Sequence, residues 1–223
     1  MLCSLLCPLP PSLLIMSQLI LIRHGETVWN HERRMQGHSD SPLSERGVRQ
    51  ARLLAQRMKE FAFTVLYSSD SGRAHATARC IADVTGHALI VEPRLRERHF
   101  GVFEGLTGPE MQQQHPEAYA RFKSREPDYA VPGGESAAAF RDRALACLDE
   151  IAARHPNELV VVVTHGLVCD VAYRAAYGMD LMAPRYFELV NAGINRFRFD
   201  GSAWHVEVWG DAAHLEADLQ SST

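Results

Sequence analysis

The sequence lacks what would mark a membrane, secreted or nucleic-acid-binding chain. The apolar stretch at residues 1–15 carries no charge and is broken by Pro8, Pro10 and Pro11, which fits neither a membrane helix nor a standard signal peptide. Five cysteines, Cys3, Cys7, Cys80, Cys147 and Cys169, are odd in number and have neither metal-ligand spacing nor the look of a disulfide framework, which points to a reducing, cytoplasmic setting. Excess positive charge is also missing: the formal net charge is -4, so there is no general attraction to nucleic acid or an acidic membrane. No internal repeat or low-complexity segment occurs, and no Gly-x-Gly-x-x-Gly follows the first apolar run, which excludes a dinucleotide fingerprint.

What is present is an ordinary globular composition, 223 residues with 46% hydrophobic and 22% charged, enough for a sizeable core. Residues 1–15 read as a disordered leader or the product of an upstream start, with Met16 the more natural beginning. The remainder, 16–223, reads as one domain.

The apolar run Leu19-Ile20-Leu21-Ile22 stops at Arg23-His24-Gly25, the pattern of a buried strand delivering charged groups to the carboxyl edge of a sheet. Ser44 caps a helix with an apolar stripe from Val48 to Phe61, and Thr64–Ser68 reads as a second strand leading into Arg73. A helix over Ala74–Val84 stopped by Gly86, then a short strand over Ala88–Val91, follow. Residues 93–135, rich in proline and glycine, read as a cap-like insertion too short and polar to hold its own core. Ser136 caps a long helix, and the valine run Glu158–Val163 reads as a central parallel strand ending in Thr164-His165-Gly166. A helix over Leu167–Tyr177 comes next, then a strand over Tyr186–Val190, then a hairpin of Ile194–Phe199 and Ala203–Trp209 turning at Asp200-Gly201. The alternation predicts a three-layer α/β/α sandwich, a mainly parallel sheet with an antiparallel edge.

Two strands thus end in His-Gly, at His24 and His165, and a third strand end leads to Arg73. Strand ends of one parallel sheet converge on one crevice, so two imidazoles, two guanidiniums and helix N-termini would form a pocket for a dianion such as phosphate.

These residues resemble the histidine phosphatase superfamily, which includes cofactor-dependent phosphoglycerate mutases and many phosphomonoesterases. The resemblance rests on Arg23-His24-Gly25-Glu26-Thr27 with Trp29-Asn30, Gln36-Gly37, Pro42-Leu43-Ser44, Ser68-Ser69 with Arg73-Ala74, Leu95-Arg96-Glu97, Phe100-Gly101, Glu104-Gly105, Pro132–Ser136 and Thr164-His165-Gly166, in order over residues 18–209. It implies a phosphoglycerate mutase-like fold with His24 as the nucleophile that becomes phosphohistidine, and Arg23, Arg73 and His165 as the phosphate clamp. Asn30 and Gly166 would add donors, Gln36 and Gly37 would border the substrate, and Glu97 would be the general acid with a raised pKa, giving a neutral to mildly acidic optimum. The resemblance implies no metal and no other cofactor, and a small phosphorylated metabolite as the substrate. A homodimer is compatible with the sequence.

Glu26 and Glu104 are the other acids near the site, Glu26 read as loop support. Asp70 reads as structuring its turn and Cys169 as packing. The modest insertion and its Pro132-Gly133-Gly134-Glu135-Ser136 exit favour a phosphatase. A mutase is the alternative, with Glu97-Arg98-His99 reminiscent of that branch, and a catalytically silent phosphate-binding module is the third reading. Ala76, where relatives often carry Gln, departs from the pattern at a structural position.

Overall fold

A computed structural model of the chain describes residues 16–216, so the readings of the leader and of Cys3 and Cys7 lie outside the described residues. In chain order the elements are β1 (Ser17–Arg23), α1 (Val28–His31), α2 (Glu45–Met58), β2 (Val65–Ser68), α3 (Gly72–Thr85), β3 (Leu89–Val91), α4 (Gly108–Gln114), α5 (Pro116–Lys123), α6 (Ala137–Arg154), β4 (Leu159–Thr164), α7 (Gly166–Ala176), β5 (Ile194–Phe199) and β6 (Trp204–Asp211).

One six-stranded sheet runs in the order β3-β2-β4-β1-β5-β6. The two apolar runs, β1 and β4, pair in parallel at its centre, with Ile20 opposite Val161 and Arg23 opposite Thr164. Because side chains alternate across a strand, these runs feed two separate cores. Leu19, Leu21, Val160 and Val162 pack with Phe140, Leu148 and Ile151 of α6 and Val168 and Val171 of α7. Ile20, Ile22, Val161 and Val163 pack with Leu54 and Met58 of α2 and Ala74, Ala78 and Ile81 of α3. The expected three-layer α/β/α sandwich is therefore the fold, and the antiparallel β5–β6 pair is its antiparallel edge.

Capping follows the sequence. Ser44 Oγ accepts from Gly47 N, Ser136 Oγ accepts from Ala139 N, and Gly86 ends α3 in the left-handed region at φ 76°. The short α1 was not expected; Thr27 and Asn30 make it through a reciprocal capping box.

Two expectations need correction. Tyr186–Val190 is not a strand: β4 and β5 fill both places beside β1, and the segment pairs with no strand of the sheet. Two of its carbonyls are taken by side chains, Leu189 O by Arg23 and Glu188 O by the Trp209 indole, and Val190 O accepts from Gly193 N. The 93–135 segment does contribute an apolar cluster, in which Phe100, Phe103, Met111 and Val131 are buried. Met35 and Leu167, from outside the segment, complete it, so the cluster grips the main body at the edge of the cleft.

Among the described residues, no helix is long and apolar enough to cross a membrane.

Candidate active site

The carboxyl ends of β1, β4 and β2 lie side by side, and the ladder continues one residue beyond β1 and β2. His24 N donates to Thr164 O at 3.0 Å and Ser69 N donates to Val163 O at 3.0 Å. This stacks His24, His165 and Ser69 at one edge, and the rings of His24 and His165 meet edge to face with centroids 5.3 Å apart.

His24 is buried, and its Nδ1 lies 2.7 Å from the carbonyl oxygen of its own neighbour Gly25. A carbonyl only accepts, so Nδ1 carries the proton and Nε2 carries the lone pair. Burial, with the Arg73 and Arg23 guanidiniums nearby, holds the imidazole pKa well below its usual value. The ring is thus neutral and has one nucleophilic nitrogen. Gly25 turns tightly against α2: a Cβ there would sit 2.6 Å from Gly47 O.

Arg73, 1% exposed, is among the largest fully buried side chains. Its Nε donates to His24 Nε2 at 3.3 Å, Nη1 to Asp40 Oδ1 and Ser39 O, both at 2.9 Å, and Nη2 to Gly37 O at 2.8 Å. The loop after α1 therefore aims the guanidinium at the nucleophile.

His165 is fully buried at the start of α7, its Nε2 2.9 Å from Ser69 Oγ, while Nδ1 is buried with no protein partner. Burial, then Arg73, His24 and Arg23, keep this ring neutral as well. Arg23 spends Nη1 on Leu189 O and keeps a buried Nε without a protein partner. Gly166 lies against it, at a distance where even a Cβ would make ordinary van der Waals contact, 3.4 Å from Arg23 Nε.

Glu97 faces the same cleft from an irregular segment. Its Oε1 accepts from Arg98 N at 2.8 Å and its Oε2 from Leu167 N at 3.1 Å. Burial pushes the carboxyl up from its ordinary value, outweighing those two amides and the Arg73 and Arg23 charges.

Arg23, His24, Asn30, Gln36, Gly37, Arg73, Glu97 and Gly166 all line one cleft of about 990 Å³ in which basic side chains outnumber acidic ones. The positive charge absent from the net balance is concentrated locally. Asn30 uses Oδ1 to accept from Thr27 N, which leaves Nδ2 as the donor it offers; Gln36 is buried with Oε1 unpartnered. Gly37 sits at φ 60° and contributes a carbonyl to Arg73. Of the named set, only His165 stands behind the cleft lining, in ring contact with His24.

The other acids have structural partners. Glu104 accepts from the amides of His38, Ser39 and Phe100 and from the Ser39 hydroxyl, which together hold its pKa down against burial. Glu26 lines the cleft and accepts from Ser44 Oγ at 2.8 Å. Asp70 pairs with Arg96 through both oxygens, so it braces the segment before Glu97. Burial pushes the Cys169 thiol up to about 12, in keeping with packing. Among the described residues, no group of three or more His, Cys, Asp or Glu side chains is placed to hold a metal ion.

Sequence reasoning gave no role to Ser69, Asp40 or Asn191. Asn191 Nδ2 donates to His24 O at 2.9 Å and approaches Asn30 Oδ1 at 3.4 Å, tying two site residues together. Ser69 stood inside a recognised motif, whereas no local pattern flags Asp40 or Asn191.

A constellation of this kind, a neutral imidazole flanked by two guanidiniums, a second imidazole and a raised carboxyl, suits capture and transfer of a phosphoryl group. Comparison with known proteins agrees. "Phosphoglycerate mutase-like protein 4" of Arabidopsis thaliana is 42% identical over 204 residues, covering 90% of this chain and 87% of its own length. "Metal-independent phosphoserine phosphatase" from the same plant is 39% identical over 204 residues, covering 90% and 84%. The solved structure of Bacillus stearothermophilus YhfR superposes with a TM-score of 0.81 at 37% identity, covering 89% of this chain and 99% of its own. Residues 19–212 match the model of the histidine phosphatase superfamily, branch 1, and the chain belongs to that family.

Proposed function

We propose that the chain is a metal-independent phosphomonoesterase that passes the phosphoryl group of a small phosphorylated metabolite first to His24 and then to water. The observation that carries this reading is the His24 ring: Nδ1 is committed to Gly25 O, so the lone pair is on Nε2, beside Arg73. In the first step Nε2 attacks phosphorus, the ester P–O bond breaks, and the leaving oxygen takes the Glu97 proton. In the second, the Glu97 carboxylate takes a proton from water as the water oxygen attacks phosphorus and the N–P bond breaks. Nε2 recovers its lone pair and inorganic phosphate leaves. Arg23, Arg73 and the Nδ1–H of His165 hold the equatorial oxygens, with Asn30 Nδ2 and the Gly166 amide as further donors.

Two relatives, one called a phosphoserine phosphatase and one phosphoglycerate mutase-like, support a small phosphorylated metabolite as the substrate. Unpaired thiols at Cys80, Cys147 and Cys169 support a cytoplasmic setting. A mutase would share the first step and differ in the acceptor.

The test is phosphate release from p-nitrophenyl phosphate and 3-phosphoglycerate with a chelator present and His24→Ala as control. Release that persists with chelator and vanishes in the variant is expected. Interconversion of phosphoglycerates with little release would replace the phosphatase by the mutase, and bound phosphate with no turnover would replace both by a silent module.

A further inference from the structure

Glu97 lies in a stretch, residues 96–100, without helix or strand, yet a general acid must be held to a fraction of an ångström. What holds it comes from α6. Arg143 has five N–H groups and five acceptors. Nε and Nη2 take both oxygens of Glu135, at 3.0 and 2.9 Å. Nη1 takes Arg94 O at 2.7 Å and Arg96 O at 3.1 Å, and the second proton of Nη2 takes Glu97 O at 3.3 Å. Three carbonyls of the 94–97 stretch thus converge on one side chain.

Glu135 reinforces the same stretch from its other end. Its backbone N donates to His99 O at 2.9 Å, its carbonyl accepts from Arg98 Nε at 2.8 Å, and its carboxylate accepts from His99 N at 3.4 Å. The Arg143–Glu135 pair is largely shielded, with side-chain exposures of 24% and 19%, and bidentate, the geometry that fixes orientation as well as charge. A guanidinium that spends every proton on one irregular segment and its clamp does more than stabilise α6, where a single surface ion pair would suffice.

We infer that Arg143, clamped by Glu135, is a positioning residue for Glu97: it sets the backbone from which the carboxyl reaches the leaving oxygen. The inference rests on the reading of Glu97 as the general acid. Arg143 touches neither nucleophile nor phosphate clamp, so its loss should fall on protonation of the leaving group and leave phosphoryl capture by His24 largely intact.

Leaving-group dependence reads this directly. The p-nitrophenolate ion departs with little need of a proton, whereas phenolate needs one, and kcat/KM reports the phosphorylation step for each. Arg143→Gln is expected to lower kcat/KM for phenyl phosphate roughly tenfold to a hundredfold, the scale of a misplaced catalytic group, and for p-nitrophenyl phosphate by no more than about threefold. Glu97→Gln, run alongside, should show the same selectivity more strongly, and Arg143→Lys should fall between wild type and Arg143→Gln. Equal losses on both esters in Arg143→Gln, with the selective loss retained in Glu97→Gln, would overturn the positioning role and leave Glu97 as the acid. If Glu97→Gln shows no selectivity, the acid assignment itself falls. Should Arg143→Gln fail to fold, Glu135→Gln takes its place: it keeps the side-chain shape, weakens one arm of the clamp, and must show the same selective loss for the inference to stand.

Discussion

Ser69 Oγ lies 2.9 Å from Nε2 of His165, while the opposite nitrogen, Nδ1, is buried without a protein partner. The hydroxyl has one proton, for which Ser71 Oγ at 3.4 Å is the other acceptor, and its oxygen accepts from Ser71 N at 3.3 Å. We expect the shorter contact to take the proton, which makes His165 the Nδ1–H tautomer that the proposed phosphate clamp requires. Ser69→Ala is expected to lower kcat/KM about fivefold, the worth of roughly 1 kcal/mol of hydrogen bonding. The ¹⁵N spectrum of His165 should change from one tautomer to a mixture. Unchanged activity with an unchanged tautomer would remove Ser69 from the site.

The acid–base groups move in opposite directions, which gives the pH profile its sign. Burial and two guanidiniums hold His24 well below its usual 6.5, so it stays neutral and nucleophilic far into the acid range. Burial lifts Glu97 above its usual 4.5, and as the proposed general acid it would be active while protonated, so activity should be lost as pH rises through that raised value. The plot of kcat/KM for phenyl phosphate against pH, with substrate ionisation factored out, should therefore show an alkaline limb above the ordinary glutamate range. Glu97→Gln should remove that limb. A profile that instead climbs through pH 6.5 would mean that His24 titrates as an ordinary histidine.

The two histidines were legible in the sequence because strand chemistry delivers them, whereas Glu97, in an irregular segment, was singled out only through the family resemblance. An apolar run that stops at Arg-His-Gly or Thr-His-Gly needs only the convergence of parallel strand ends to place His24 beside His165. What holds them was not legible, because it is supplied across the chain: Asn191 reaches His24 O from 167 residues away, and Asp40 reaches Arg73 from a loop. Tyr186–Val190 shows the opposite failure. Its local pattern suits a strand, but strand status depends on pairing with a neighbour, and β4 and β5 fill both places beside β1. The polarity of residues 93–135 misled because its scattered apolar residues, Phe100, Phe103, Met111 and Val131, gather into one cluster only once the segment folds.

Gly47, in the first turn of α2, tests how tightly the His24 loop is seated. Helix propensity alone favours alanine by about 1 kcal/mol. A Cβ there, however, would lie 1.8 Å from Glu26 O and 2.8 Å from Glu26 C, both backbone atoms that no rotamer change can move. Overpacking of about 1–3 kcal/mol or more outweighs the propensity gain. Gly47→Ala is expected to lower the urea midpoint. Because the displaced backbone adjoins Gly25 O, the acceptor of His24 Nδ1, kcat should fall with it. A gain in stability with full activity would show that the loop yields freely.

Arg174 and Asp170, one turn apart on α7, form the most buried ion pair of the cleft wall. Arg174 Nε donates to Asp170 Oδ2 at 2.7 Å and its Nη1 to Asp180 O at 2.7 Å, and each residue is 5% exposed. Asp170 Oδ1 has no hydrogen bond, and its other cation, Arg185 Nη1, stands 3.6 Å away on a half-exposed side chain. Arg174→Met would strand a buried carboxylate and release the Asp180 carbonyl together, a loss of about 3–5 kcal/mol in urea unfolding. Replacing both partners, Asp170→Leu with Arg174→Met, removes the uncompensated charge and should recover most of that loss. If the single variant costs under about 1 kcal/mol, Arg185 closes on Asp170 and the pair with Arg174 is dispensable. The same variant should also raise KM, because the Asp180 anchor begins the segment whose Leu189 carbonyl holds Arg23.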